Sequence, residues 1–255
     1  MAALAGASAV VATAQPVAGE GGAPADPVLA SLPDFPSLTS PTLSFIAYVS
    51  STSVYGSDRG GAWVGEGEER PCNATGLARV EAEAAWRAAA GGAGVRAATF
   101  RAGGIYGPGR SALDIVSGAR TSRRDDPDAA GAPVSRIHAL DLARGLLAAA
   151  QAADAAAAAA AAAATSSSSA AAWTVYNAVD ADPAPRGEVL AAARALLAGE
   201  RPVEGPGDRP EPSAGKRVRG AAFAALLEGK GGLAFPTYRE GLAGILRGEG
   251  GPFGV

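Results

Sequence analysis

Three short runs of bulky residues constrain this chain more than anything else in it. Leu43-Ser-Phe-Ile-Ala-Tyr-Val49, residues 95–100 and residues 173–179 are rich in β-branched and aromatic side chains. Runs of that length and makeup are buried strands. They stand apart in a 255-residue sequence that contains 65 alanines and 35 glycines. Helical stretches fall between them, over residues 73–90, 111–120 and 140–153, and no hairpin turn joins one strand to the next. Strands separated by helices pair in parallel through crossovers, which predicts an α/β fold with a parallel sheet covered on both faces.

The remaining segments fit around that frame. Residues 9–14 read as a short buried strand followed by a loop over 15–26. Pro33, Pro36 and Pro41 limit residues 27–42 to a short helix and a loop. Residues 57–72 form a polar loop, and Gly91, Gly92 and Gly94 end the helix over 73–90. Residues 121–133 form a charged loop. Residues 186–197 form an amphipathic helix with Val189, Ala193, Leu196 and Leu197 near one face. A Pro-, Gly- and charge-rich loop over 199–219 follows, then two short helices over 220–229 and 238–247. Ten consecutive alanines at 155–164 and four serines at 166–169 favour helix locally but supply no packing specificity. They mark residues 152–171 as a low-complexity insertion in a surface loop. Residues 248–255 are Gly-rich and expected to fray.

Composition excludes several classes of function. A single cysteine, Cys72, excludes a disulfide framework and a Cys-based zinc site within the chain. A single histidine, His138, excludes a His-rich metal centre, so no metal is expected. The net charge of −3 gives no electrostatic footprint for nucleic acid. No run approaches the roughly 20 bulky apolar residues that a membrane span needs. Met1–Ala14 lacks the positively charged segment of a signal peptide; no targeting segment is visible, and the compartment stays open between the cytoplasm and an organelle stroma or matrix. Lys216, Arg217 and Arg219, offset by Asp208 and Glu211, read as a solvated loop. Cys72 reads as incidental, and His138, just before an Ala-rich helix, as a structural contact.

In a parallel sheet, ligands bind beyond the carboxyl ends of the strands. Two junctions therefore carry the chemistry. At the first, a strand ends in Ser50, Ser51, Thr52, Ser53 and Tyr55. Hydroxyls there either satisfy backbone groups where the strand stops or stabilise a substrate oxygen that gains charge. At the second, a strand leads into Arg101-Ala-Gly-Gly-Ile-Tyr-Gly-Pro-Gly109.

Together with Tyr48-Val-Ser-Ser-Thr-Ser-Val-Tyr-Gly56, this second segment resembles the NAD(P)-dependent epimerase/dehydratase branch of the short-chain dehydrogenase/reductase superfamily. Three further segments resemble it in order and spacing: Arg136-Ile-His-Ala-Leu-Asp-Leu-Ala143, Tyr176-Asn-Ala-Val179 and Phe235-Pro-Thr-Tyr-Arg-Glu-Gly-Leu242. The last is similar to a divergent, atypical subgroup. The resemblance runs from about residue 5 to residue 247. It implies a partial doubly wound Rossmann-type sheet over residues 1–180 and a small C-terminal substrate lobe over 181–255. It also implies NAD or NADP as cofactor and a sugar- or nucleotide-linked small-molecule metabolite as substrate, with a homodimer left open. By position, Ser51 falls on the family's catalytic Ser/Thr. Thr13, Ala14, Ser50, Gly103, Gly104 and Ile105 fall near the cofactor, and Arg110 and Arg136 near the substrate.

Two departures qualify the resemblance. No G-x-G-x-x-G occurs in the sequence, and roughly 60–70 residues, about two βα units, are missing from the front of the family pattern. The expectation is of a truncated chain or an incomplete gene product. The family's Tyr-x-x-x-Lys pair is also replaced, because Thr75-Gly-Leu-Ala-Arg79 stands in its register. A Thr hydroxyl does not titrate near neutrality and Arg does not deprotonate. Tyr55 and Tyr106 are candidate substitute acids, although a Tyr after a parallel strand is more often packed. The readings carried forward are an NAD(P)-dependent oxidoreductase or epimerase and a catalytically inactive binding or regulatory protein.

Overall fold

The computed structural model describes residues 6–18, 24–32, 34–35, 42–121, 131–162, 172–200 and 209–249. In chain order the longer elements are β1 (Ala9–Ala12), α1 (Pro27–Ser31), β2 (Phe45–Ser51), α2 (Ala74–Ala93), β3 (Arg96–Ala102), β4 (Gly104–Tyr106), α3 (Ala112–Val116), β5 (Arg136–His138), α4 (Ala139–Ala162), β6 (Trp173–Ala178), α5 (Arg186–Leu197), α6 (Ala221–Glu228) and α7 (Tyr238–Leu246). The central sheet is parallel, in the order β1-β2-β3-β6. β1 and β2 pair from Ala9↔Phe45 to Ala12↔Tyr48. This is the α/β architecture that the spacing of the bulky runs predicts.

The chain divides into two compact units. The first comprises Met1–Gly56, Glu69–Arg101 and Gly145–Tyr176. Its core forms because β2 is apolar on both faces and α2 presents Ala82, Trp86 and Ala90 at helical spacing. Trp86 is fully buried, edge-on to Phe35 at 5.4 Å and stacked on Tyr48 at 6.3 Å. Its indole N–H donates to Asp26 Oδ2 at 2.9 Å, and the other carboxylate oxygen of Asp26 accepts the Val28 and Leu29 N–H groups that open α1. One carboxylate thus satisfies a buried indole and caps a helix.

The second unit comprises Ser57–Glu68, Ala102–Arg144 and Asn177–Val255. Here β4 and β5 pair in parallel, with Gly104↔Arg136 and Tyr106↔His138 in register. Two two-residue ribbons are tied in beside them. Pro133–Val134 runs antiparallel to Ala184–Pro185, and Trp63–Val64 runs parallel to Arg217–Val218. Its core gathers Tyr106, Leu113, Val189, Ala193, Tyr238 and Leu242. Asp141 at the start of α4 accepts the Ala234 and Phe235 N–H groups at 2.7 and 2.9 Å, which fixes the approach to α7.

Several boundaries differ from the sequence expectation, each for a local reason. Gly91 and Gly92 stay helical, and α2 stops at Gly94, whose φ of 67° is the left-handed C-cap conformation that suits glycine. The loops over 57–72 and 199–219 contribute the strands of the Trp63–Val64/Arg217–Val218 ribbon. The loop over 15–26 holds a short antiparallel ribbon, Val17–Ala18 with Pro24–Ala25. Residues 152–162 are not loop but the last turns of α4, because alanine's helix propensity carries a helix already nucleated by packed residues. Residues 163–171 lie outside the described residues, as do 122–130 of the charged loop and 250–255 of the closing segment. Among the described residues, α4 is the one helix long and apolar enough to cross a membrane by length and composition. Alanine methyls rather than bulky chains give it that character, so the count of bulky residues overlooked it.

Candidate active site

In the first unit, β2 delivers its hydroxyls to α2. Ser50 is buried, and its Oγ donates to Glu83 Oε1 at 2.6 Å. Ser51 Oγ accepts the Ser53 N–H at 3.1 Å and caps the single 3-10 turn Thr52–Tyr55. Ser53 Oγ is buried without a partner among the described residues. α2 lies against this turn, with Gly76, Arg79 and Glu83 following one another along its buried face.

Glu83 anchors the set. Arg101 of β3, 2% exposed, donates to both Glu83 oxygens, from Nε at 3.1 Å and from a terminal nitrogen at 2.7 Å. Its other terminal nitrogen donates to the Tyr55 hydroxyl at 3.0 Å, and Glu69 adds a further contact at 2.6 Å. Burial works against the charge on Arg101, but the Glu83 carboxylate more than offsets it and holds the guanidinium firmly charged. Glu83 is thus a buried partner on the packed face of α2. The signal was available: it lies four residues after Arg79 and three before Trp86 on one face.

The Thr75/Arg79 pair separates. Thr75 is exposed in the first turn of α2, whereas Arg79 is buried and donates to the Tyr48 hydroxyl at 3.0 Å and the Val49 carbonyl at 3.2 Å. Burial pushes the Tyr48 phenol up, with Arg79 pulling the other way. Tyr55 is fully buried against Arg101, which is the packed role rather than that of an exposed acid. Thr13, exposed, and Ala14, half-buried, follow the carboxyl end of β1. The residues after them are not helical, and no helix of eight or more residues starts between β1 and β2 among the described residues.

In the second unit, Gly103, Gly104 and Ile105 lead into and along β4. A Cβ on Gly103 would lie 2.6 Å from the Ser135 carbonyl oxygen, so only glycine lets the backbones meet there. Gly104 is exposed, and a Cβ there would find its nearest neighbour, Arg136 Cγ, at an ordinary 3.7 Å. Arg136 donates from one nitrogen to the Val134 and Ala184 carbonyls at 2.7 and 2.8 Å. Its backbone carbonyl accepts the Asp180 N–H at 2.6 Å. Asp180 is buried, and one of its carboxyl oxygens has no partner among the described residues. Burial pushes that carboxyl well up, with Arg136 acting against the shift. Arg110 is exposed just after the turn at Gly109.

Tyr106 is buried, its phenol pushed up by burial and its hydroxyl donating to the Thr237 carbonyl at 3.4 Å. His138 is fully buried between Tyr106 and Phe235. Its Nδ1 accepts the Leu140 N–H at 3.1 Å, which puts the ring proton on Nε2, and burial pulls its pKa down. Both rings pack the interior of this unit, in keeping with the structural reading of His138. Asp180 carried no signal in the sequence, since nothing in its spacing distinguishes it from Asp182 two residues on.

No protein-family profile and no curated protein matches the sequence. Solved structures do match it. A functionally unknown conserved protein from Silicibacter pomeroyi is 28% identical with a TM-score of 0.68, over 97% of this chain and 80% of that one. A protein assigned as an NAD-dependent epimerase/dehydratase, from Methylobacillus flagellatus, is 26% identical with a TM-score of 0.54, over 81% of this chain and 65% of that one. MoeE5, solved in complex with UDP-glucose and NAD, shares the fold at 22% identity and a TM-score of 0.55, over 80% of this chain and 64% of that one. The match thus spans less than two thirds of the length of the last two chains.

Proposed function

We propose that this chain, which has the Rossmann-type fold of the NAD-dependent epimerase/dehydratases, is an epimerase/dehydratase-like oxidoreductase that uses NAD(P) on a sugar- or nucleotide-linked metabolite. The observation that carries the reading is the 26% identity to the Methylobacillus flagellatus protein over 81% of this chain. NAD(P) supplies hydride transfer when bound. The residues here fit it on one side only. Exposed Gly104 leaves room for a flat ring, whereas the sequence holds no G-x-G-x-x-G and, among the described residues, no helix of eight or more residues starts between β1 and β2 to present its N-terminus to a pyrophosphate. The reading therefore assigns the nicotinamide side of the cofactor to these residues. In the first unit Ser51 is the hydroxyl proposed to face a substrate oxygen; in the second, Gly103, Gly104 and Ile105 are the proposed cofactor positions and Arg110 and Arg136 the proposed substrate positions.

One observation favours a second reading, binding without turnover. The Arg79 guanidinium donates to Tyr48 and Val49, and Thr75 stands apart from it. No group in that register carries a titratable phenol or amine. Incubating the chain with NAD⁺ or NADP⁺ and UDP-glucose, with chromatography of the sugar nucleotide, separates the two. An epimerised, oxidised or dehydrated product supports the enzyme. Saturable binding without product supports the second reading, and binding of neither compound removes both.

A further inference from the structure

The loop over 57–72 and the basic cluster at 216–219 meet in a feature that neither predicts alone. Trp63–Val64 pairs in parallel with Arg217–Val218, so Trp63 and Arg217 share one side of the ribbon and Val64 and Val218 the other. The valines are buried, and Ser135 Oγ accepts the Val218 N–H at 3.0 Å, which seats the ribbon. The opposite side is open at Trp63 and Arg219, while the Arg217 side chain is 18% exposed. Trp63 is 37% exposed and is the one exposed aromatic side chain among the described residues.

That ring is held rather than loose. The Arg217 guanidinium lies 5.1 Å from its centroid, and Arg217 is fixed in turn by the Gly61 carbonyl at 2.9 Å and Glu211 at 2.7 Å. Arg219 donates to the Trp63 carbonyl at 3.2 Å while its side chain remains 57% exposed. The acidic partners of these arginines are themselves open to water: Glu211 is 83% exposed, and Glu68, 3.7 Å from Arg219, is 46% exposed. The Arg219–Glu68 pair, exposed on both sides, contributes little, so an incoming anion displaces it at small cost. The ribbon is also tied to the carboxyl end of β6. Glu66 accepts the Asn177 N–H, and the Asn177 side chain donates to the Arg219 carbonyl. Carboxyl ends of parallel strands are where such sheets bind ligands.

We propose that the open side of this ribbon is a nucleoside diphosphate platform, on which Trp63, backed by Arg217, stacks the base and Arg219 receives the phosphates. An exposed ring backed by a guanidinium suits a flat heterocycle, and the adjacent cation suits its charged end. The inference deepens the reading above and rests on its nucleotide-linked ligand.

Equilibrium dialysis of the full chain with radiolabelled UDP, and separately with ADP, tests it. Trp63→Ala weakens binding of the preferred diphosphate by about 5- to 150-fold. Trp63→Phe retains it, and ribose 5-phosphate, which lacks a base, fails to compete. Preference for UDP assigns the platform to a substrate, and preference for ADP to the cofactor. Arg219→Gln, at an exposed side chain, weakens binding without lowering the melting temperature, so the test survives if Trp63→Ala fails to fold. Undiminished binding by Trp63→Ala and Arg219→Gln overturns the platform and leaves the nucleotide reading standing. Absence of UDP and ADP binding by the unaltered chain overturns both.

Discussion

Arg101 and Glu83 form a buried two-pronged pair, the Nε and a terminal nitrogen of the guanidinium donating to the two carboxylate oxygens. The pair ties β3 to α2, and through Ser50 and Tyr55 it also holds the end of β2 and the turn that follows. Removing one partner leaves the other charge buried and uncompensated. Glu83→Gln is therefore expected to cost about 3–5 kcal/mol in urea denaturation. The double variant Glu83→Leu with Arg101→Met is expected to recover much of that loss. A double variant no more stable than Glu83→Gln would contradict the pairing.

Arg79 makes a different contribution. It donates to two neutral oxygens, so Arg79→Met leaves the Tyr48 hydroxyl and the Val49 carbonyl without that donor. A loss of about 1–3 kcal/mol is expected in the same assay. An unchanged midpoint would show that the guanidinium is not held against the sheet.

His138 and Asp180 give pH dependences of opposite sign. Burial lowers the folded pKa of His138 below its ordinary 6.5. The unfolded chain then binds the proton first, and the contribution of His138 is present above pH 6.5 and is lost as pH falls toward the folded value. His138→Gln should flatten that acid limb. A limb of undiminished slope would exclude His138 as its source.

Asp180 behaves in reverse. Its folded pKa lies well above the ordinary 3.8, so its contribution is present below pH 3.8 and is lost as pH rises through the folded value. Asp180→Asn keeps the shape and removes the titration. It should gain stability over the unaltered chain at pH 8 by more than at pH 4, read from paired denaturation curves. An equal difference at both values would mean that Asp180 does not titrate as described.

Gly103 and Gly104 are neighbours with different constraints. Gly103→Ala drives a methyl to 2.6 Å from the Ser135 carbonyl and should cost about 1–3 kcal/mol. Gly104→Ala meets nothing closer than 3.7 Å and should leave the melting temperature unchanged while weakening nicotinamide nucleotide binding. Equal destabilisation by both would remove the distinction between a backbone contact and an open face.

The three bulky runs were legible in the sequence because burial on both faces demands β-branched and aromatic residues wherever it occurs. The presence of the longer helices is legible too, although α2 runs through Gly91 and Gly92 and α4 on to Ala162. What stayed hidden was pairing across distance. Nothing near Glu83 announces Arg101, and nothing near Trp63 announces Arg217, because the contacts depend on how strands and loops are brought together. Arg101 stands in view as part of a motif, whereas its partner Glu83 lies 18 residues back along the chain. Of the two roles open for Ser51, the cap on the turn is visible in the bond from the Ser53 N–H, and the substrate-facing one belongs to the proposal. The alanine tract misled in another way. Its lack of packing specificity suggested a loop, while its backbone propensity continued the helix.

Titration of the full chain with NAD⁺, NADP⁺ and nicotinamide mononucleotide tests the central claim most directly. The account predicts saturable binding of one dinucleotide and of nicotinamide mononucleotide, since the reading assigns the nicotinamide side to residues of this chain. No saturable binding of any of the three would contradict it.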